Sequence, residues 1–144
     1  MPKIKTLKIL FLDIDGVLNN YTTKTKYRGC TGLDNTLIPH VKRIIKETKC
    51  KVVLSSTWRR TPARIEYLKR RVCPILDSTP IRKFSSLRGE EVQWWLRNSV
   101  NFVSRYAILD DDSGFLDGQY LFHVDGRDGI TSEIADAVIT HLNS

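Results

Sequence analysis

Cysteine is scarce in this 144-residue sequence: Cys30, Cys50 and Cys73 make an odd, widely spaced set with no Cys-x-x-Cys pair and no histidine at zinc-ligand spacing. That argues against a disulfide framework and against a structural zinc site, and it leaves three thiols expected to be reduced and partly buried. Long apolar runs are missing too. The opening Met-Pro-Lys-Ile-Lys leads into an apolar stretch too short and too quickly acidic for a signal peptide, and nothing later approaches membrane-spanning length. A cytoplasmic location without a membrane partner is the expectation. There is no Gly-x-x-x-x-Gly-Lys-Ser/Thr loop, so a kinase activity within the chain is not expected. Internal repeats, low-complexity tracts and linkers are absent as well, and the length suits one domain spanning 1–144.

Acidic residues are in deficit, 16 against 23 basic, which leaves a net charge of +7. The basic side chains recur from Lys3 to Arg127 instead of forming one tail. Such a surface suits polyanions, nucleic acid first, although surplus lysines also simply keep a small protein soluble.

What is present is an alternation of apolar strands and amphipathic helices. Leu7 to Leu12 is an apolar run broken only by Lys8, and it ends in Asp13. Asn19 to Leu33 is polar and glycine-bearing, and reads as a loop or small hairpin over the end of that strand. Asp34-Asn35-Thr36 offers helix caps, and Leu37, Val41, Ile44 and Ile45 share one helical face. Lys51 to Leu54 is a second strand, delivering Ser55-Ser56-Thr57. Pro62 opens a helix with Ile65, Leu68 and Val72 inward, and Val72 to Leu76 reads as a short edge strand. Glu90 to Leu96 is helical, and Trp94 and Trp95 read as a core contact and its partly exposed neighbour in preference to a base-stacking platform. Arg105 to Leu109 is a strand ending in Asp110-Asp111-Asp112. Gln119 to Val124 is a further strand, Gly126 to Gly129 a turn, and Ser132 to Leu142 a final helix. This order predicts an α/β fold, a three-layer Rossmann-like parallel sheet between helices, with ligands beyond the carboxyl ends of the strands.

Three of those strands end in groups suited to metal and phosphate. Asp13 and Asp15 are one residue apart, and Gly16 lets the backbone turn sharply and approach a ligand. Two ionised carboxylates repel a phosphate dianion, so a cation must intervene. Magnesium suits oxygen ligands, and Asp110 and Asp111 would complete the set. Ser55 is placed to bond a phosphate oxygen and Arg88 to neutralise another. Taken singly, Asp-x-Asp-Gly is also an ordinary turn, the acidic triplet a solvated loop and Ser55 a helix cap; their order along the chain carries the case. Arg59 either orients substrate or packs its stem on Trp58. His40, His123 and His141 show no ligand spacing and receive no role.

Phe11-Leu12-Asp13-Ile14-Asp15-Gly16-Val17-Leu18 resembles the first motif of haloacid dehalogenase (HAD) superfamily phosphatases, Val53-Leu54-Ser55 the second and Ile108-Leu109-Asp110-Asp111 the fourth. The likeness spans nearly the whole chain. It is nearest to the small phosphatase domains of nucleic-acid repair enzymes, including polynucleotide kinase-phosphatases and the domain of multidomain RNA-repair proteins. There Leu54-Ser55-Ser56-Thr57-Trp58-Arg59, Arg88-Gly89-Glu90-Glu91-Val92 and a late Asp128 to Thr131 are all familiar. The resemblance implies an HAD-like fold with Asp13 as a nucleophile forming an aspartyl-phosphate and Asp15 as general acid and then base. It implies Mg2+ held by the Asp13 carboxylate, the Asp15 carbonyl and the triplet, with Asp111 direct and Asp110 in support. Ser55, Ser56, Arg59 and Arg88 would bind phosphate, with Arg88 as third-motif cation and Lys83 and Arg82 as alternatives.

Only Asn19 to Leu33 and roughly Pro62 to Leu87 have room for a cap, so a minimal cap or none is expected, and an open site. With Lys24, Lys26 and Arg28 near its entrance, the expected substrate is a 3′-phosphate on a DNA or RNA end, and the domain works either alone or beside a separate kinase or ligase. Two alternatives are a small-molecule phosphatase acting on nucleotides or phosphosugars and a non-catalytic nucleic-acid-binding module. A receiver-like signalling domain fits less well, because its acidic pair is adjacent and its acceptor follows a later strand.

Overall fold

The computed structural model describes residues 5–81 and 87–144. In chain order it contains β1 (Thr6–Leu12), the short strands β2 (Lys26–Tyr27) and β3 (Cys30–Thr31), α1 (Ile38–Thr48), β4 (Lys51–Leu54) and a 3₁₀ turn at Thr57–Arg60. Then follow α2 (Pro62–Arg71), β5 (Asp77–Ser78), α3 (Arg88–Asn98), β6 (Phe102–Asp110), β7 (Leu121–His123) and α4 (Ser132–Leu142). Five strands form one parallel sheet in the order β5-β4-β1-β6-β7. β2 and β3 form a separate antiparallel hairpin. The three-layer α/β expectation holds, and no inserted cap domain occurs among the described residues.

Toward their carboxyl ends the central strands are apolar because both faces are covered there. Leu10, Leu12, Val52, Leu54, Ala107 and Leu109 bury one face against α1, α2 and α4. Their sequence neighbours Ile9, Phe11, Val53 and Ile108 bury the other against Val92 and Trp95 of α3. Period-two alternation thus feeds two cores from the same strands.

Register sets the site. Leu12 is level with both Leu54 and Leu109, so the next residues, Asp13, Ser55 and Asp110, emerge side by side at the carboxyl edge. The ladder continues one step further: Asp13 N donates to Leu109 O and Ser55 N to Leu12 O, each at 3.0 Å. The chain order reverses between β1 and β6, the switch point where open α/β sheets bind ligands. The opposite edge carries both described ends of the chain, where Lys8 Nζ donates to Asn143 Oδ1 at 3.0 Å.

Several boundaries differ from the sequence reading. The edge strand lies at Asp77–Ser78 instead of Val72 to Leu76, because Pro74 has no N–H to give a ladder; pairing resumes with Leu76 N on Val52 O. Asp34 does not cap α1. Its carboxylate organises the preceding turn by accepting from Thr36 N and Oγ1, and Leu37 is the N-cap with no side-chain bond. The β6 strand runs longer than expected and β7 shorter, while the last helix coincides with its expected span, Thr131 Oγ1 accepting from Ile134 N as its cap. All three cysteines are free, Cys30 exposed and the other two buried.

Candidate active site

Asp13, at the end of β1, is 2% exposed. Arg88, the first residue of α3, reaches it from the far side of the sheet: Nη1 lies 2.9 Å from Asp13 Oδ1 and 2.9 Å from Asp110 Oδ2. Of the three residues considered for the third-motif cation, Arg82 and Lys83 lie outside the described residues, and Arg88 meets the nucleophile candidate directly. One guanidinium does not balance the two buried acids. Burial, followed by repulsion from Asp110, pushes the Asp13 carboxyl up to about 8 despite Arg88. Burial also raises Asp110. Burial opposes the charge of Arg88, but the two carboxylates outweigh it and hold its pKa above the ordinary value.

The acidic triplet divides its work. Asp110 is fully buried and accepts from Arg88 and from the backbone N of Asp112. Asp111 turns back toward β1, where Gly16 makes room for it. A methyl group on Gly16 would collide with the Asp111 carboxylate, and the φ of +83° there suits glycine alone. Asp112 closes the following turn by accepting from Ser113 N and Gly114 N. One carboxylate oxygen each from Asp13, Asp110 and Asp111 lies within 4.8 Å of the others. Three hard oxygen donors with an excess of negative charge fit a divalent cation such as magnesium. Asp112 is not in that group.

Asp15 has different surroundings. Both its oxygens accept from Trp58 Nε1 at 3.2 Å, and Oδ1 also accepts from Asn19 Nδ2 at 2.9 Å. Asn19 Oδ1 in turn accepts from Gly16 N. Its carboxylate is thereby oriented apart from the Asp13 cluster and lies on the wall of an open cleft of about 900 Å³. Neither partner is legible as such in the sequence. Trp58 is 43 residues from Asp15, too far for any local pattern to pair them. His123, also passed over, lines the cleft and places Nε2 3.0 Å from the Asp111 carbonyl.

Ser55 stands beside Asp13 with a buried hydroxyl that finds no hydrogen-bond partner among the described residues. Such an orphan costs about 1–3 kcal/mol unless something satisfies it. Two other expected phosphate contacts are corrected. Ser56 is fully buried, and its hydroxyl caps the 3₁₀ turn, accepting from Trp58 N at 3.1 Å. Arg59 spends all five of its N–H groups inside the protein: Nε on Thr79 O, Nη1 on Ser55 O and Ser56 O, and Nη2 on Pro80 O and Glu91 Oε2. With no donor left, it is a clasp joining the ends of β4 and β5 to α3.

The β2–β3 hairpin stands over the cleft. Its two-residue turn, Arg28-Gly29, has φ of 49° and 80°, the mirror-image turn that matches strand twist. Tyr27 docks the hairpin by stacking on Tyr67 at 4.2 Å and on Trp58 at 5.8 Å, so the residue that holds Asp15 also holds the flap.

No curated protein matches the chain. Residues 9–135 match the family described as the HAD domain in Swiss Army Knife RNA repair proteins, an interval that contains every site residue named above. The chain therefore belongs to that HAD domain family of RNA-repair proteins.

Proposed function

We propose that this protein is a magnesium-dependent phosphomonoesterase that removes a 3′-phosphate from a DNA or RNA end through an aspartyl-phosphate on Asp13. The observation that carries the reading is the split between the two carboxylates of Asp-x-Asp. Asp13 is buried against Arg88 and the Asp110–Asp111 pair, while Asp15 is held separately on the cleft wall by Trp58 and Asn19. One is set up as nucleophile and the other as proton carrier. Magnesium held by the Asp13 and Asp111 carboxylates and the Asp15 carbonyl, with Asp110 in support, would neutralise charge that otherwise repels a phosphate.

An Asp13 oxygen bonds to phosphorus as the bond from phosphorus to the strand oxygen breaks, and a proton on Asp15 passes to that leaving oxygen. Water then attacks the phosphorus of the aspartyl-phosphate and gives its proton to Asp15, freeing inorganic phosphate and the Asp13 carboxylate. Arg88 faces the charge that develops on the phosphoryl oxygens, and the unpartnered Ser55 hydroxyl donates to one of them. Ser56 and Arg59 stay out of the chemistry. A kinase or ligase acting on the freed end would be another protein.

Phosphate release is measured from a 3′-phosphorylated oligonucleotide, a 5′-phosphorylated one and a mononucleotide, with and without magnesium. Release that needs magnesium, favours the 3′-phosphate and vanishes in Asp13→Asn is the expected result. A preference for the mononucleotide would replace repair with small-molecule metabolism, and no release by well-folded protein would leave a binding module.

A further inference from the structure

Four arginines on the hairpin and the segments it packs against make no ion pair among the described residues: Arg28 on the hairpin turn, Arg60 at the end of the 3₁₀ turn, and Arg64 and Arg71 on α2. Arg43, Arg59, Arg88 and Arg127, by contrast, each meet a carboxylate. Three of the four uncompensated groups lie against aromatic rings. Arg28 is 5.5 Å from the Tyr27 centroid, Arg64 is 5.0 Å from Trp58 and 6.0 Å from Tyr27, and Arg71 is 5.6 Å from Tyr67. Guanidinium groups resting on rings keep N–H edges for another acceptor and lose little freedom on meeting it. Arg71 gives Nη1 to the Tyr67 hydroxyl and Nη2 to Asn35 Oδ1 and offers only its remaining N–H groups, so Arg28, Arg60 and Arg64 are the principal contacts.

The rings form a continuous path from the chemistry: Asp15 to Trp58 by hydrogen bond, Trp58 to Tyr27 and Tyr27 to Tyr67 by stacking. Arg64 and Arg71 are seven residues apart and so share a helix face. Their separation along α2 is about 10 Å, close to three phosphates at helical spacing. Tyr27 already carries aromatic rings and cations on its faces, so bases gain no stacking platform there. What the surface offers is a row of phosphate contacts.

Resting on the phosphatase reading above, we propose that the nucleic-acid strand leading to the phosphorylated end lies along the hairpin and α2, its phosphodiesters held by Arg28, Arg60, Arg64 and Arg71. Binding there is independent of base sequence and weakens steeply with salt.

The test is the affinity of the full chain for a fluorescent, single-stranded, 3′-phosphorylated oligonucleotide across a salt titration. Arg28→Gln with Arg64→Gln is compared with Lys46→Gln plus Arg97→Gln, which remove equal charge from the last turns of α1 and α3. Each lost contact should weaken binding about fivefold at about 0.1 M salt and reduce the slope of log affinity against log salt by about 0.7. The control pair should stay within about twofold, as rim charges far from a contact do. Arg60→Gln, at an exposed position with no internal partner among the described residues, is read separately in case the double variant is destabilised. Equal loss in the control pair, an unchanged slope, or competition by polyglutamate as effective as by oligonucleotide would overturn the proposal. Hydrolysis of p-nitrophenyl phosphate is followed in parallel. If wild type does not cleave it, the phosphatase reading has failed, and the affinity data still decide the surface by themselves.

Discussion

Trp58 and Arg59 are neighbours in sequence with separate tasks. The Trp58 indole N–H orients Asp15, while its ring carries Tyr27. Trp58→Phe keeps the ring and deletes the donor, so the fold should persist while kcat falls about tenfold, the worth of one hydrogen bond of about 1.4 kcal/mol. Steady-state kinetics over a pH series would check this, with the KM for substrate little changed. Arg59→Ala should do the reverse and strike stability first. It strands Glu91 in a buried position and frees four carbonyls, a loss of about 3–5 kcal/mol that lowers the melting temperature by on the order of 10 °C. A thermal melt followed by circular dichroism reads it directly. In the sequence Arg59 is open between orienting substrate and packing on Trp58, and the family resemblance favours a phosphate contact. Three of its five internal partners, Thr79, Pro80 and Glu91, lie 20, 21 and 32 residues away, and no local pattern reveals them.

At the level of elements, legibility followed local chemistry. The α4 helix was legible from end to end because its cap and its apolar stripe, Ala135, Val138 and Leu142, are written within one short segment. Thr131→Ala should therefore cost about 1 kcal/mol, visible as a lower urea midpoint with an unchanged slope. The edge strand was misplaced because a two-residue strand has too few residues for alternation to show, and Pro74 shifts the pairing downstream. The strand-end positions of Asp13, Ser55 and Asp110 were legible, since each closes an apolar run. Their common level depends on inter-strand register, which only the assembled sheet fixes.

For the whole molecule, the site is a concentration of negative charge in a chain of net charge +7. Because folding raises Asp13 from 3.8 to about 8, the folded state favours its protonated form. In chelator-treated protein that contribution is full below about pH 4 and is lost as pH rises toward about 8. The metal-free melting temperature should accordingly drop between those limits, and Asp13→Asn should flatten the drop. Magnesium should raise the melting temperature more at pH 8 than at pH 5, and Asp111→Asn should weaken that rise. Differential scanning calorimetry at both pH values measures all of these effects.

The bond between Lys8 and Asn143 holds the first strand and the last helix together on the side of the sheet away from Asp13. Both ends of the described chain thus leave through one doorway, and the rim that carries Asp13 faces the other way. A unit of this shape can be plugged into a surface loop of a larger polypeptide, or tethered at either end, without its host crossing the path of an incoming strand.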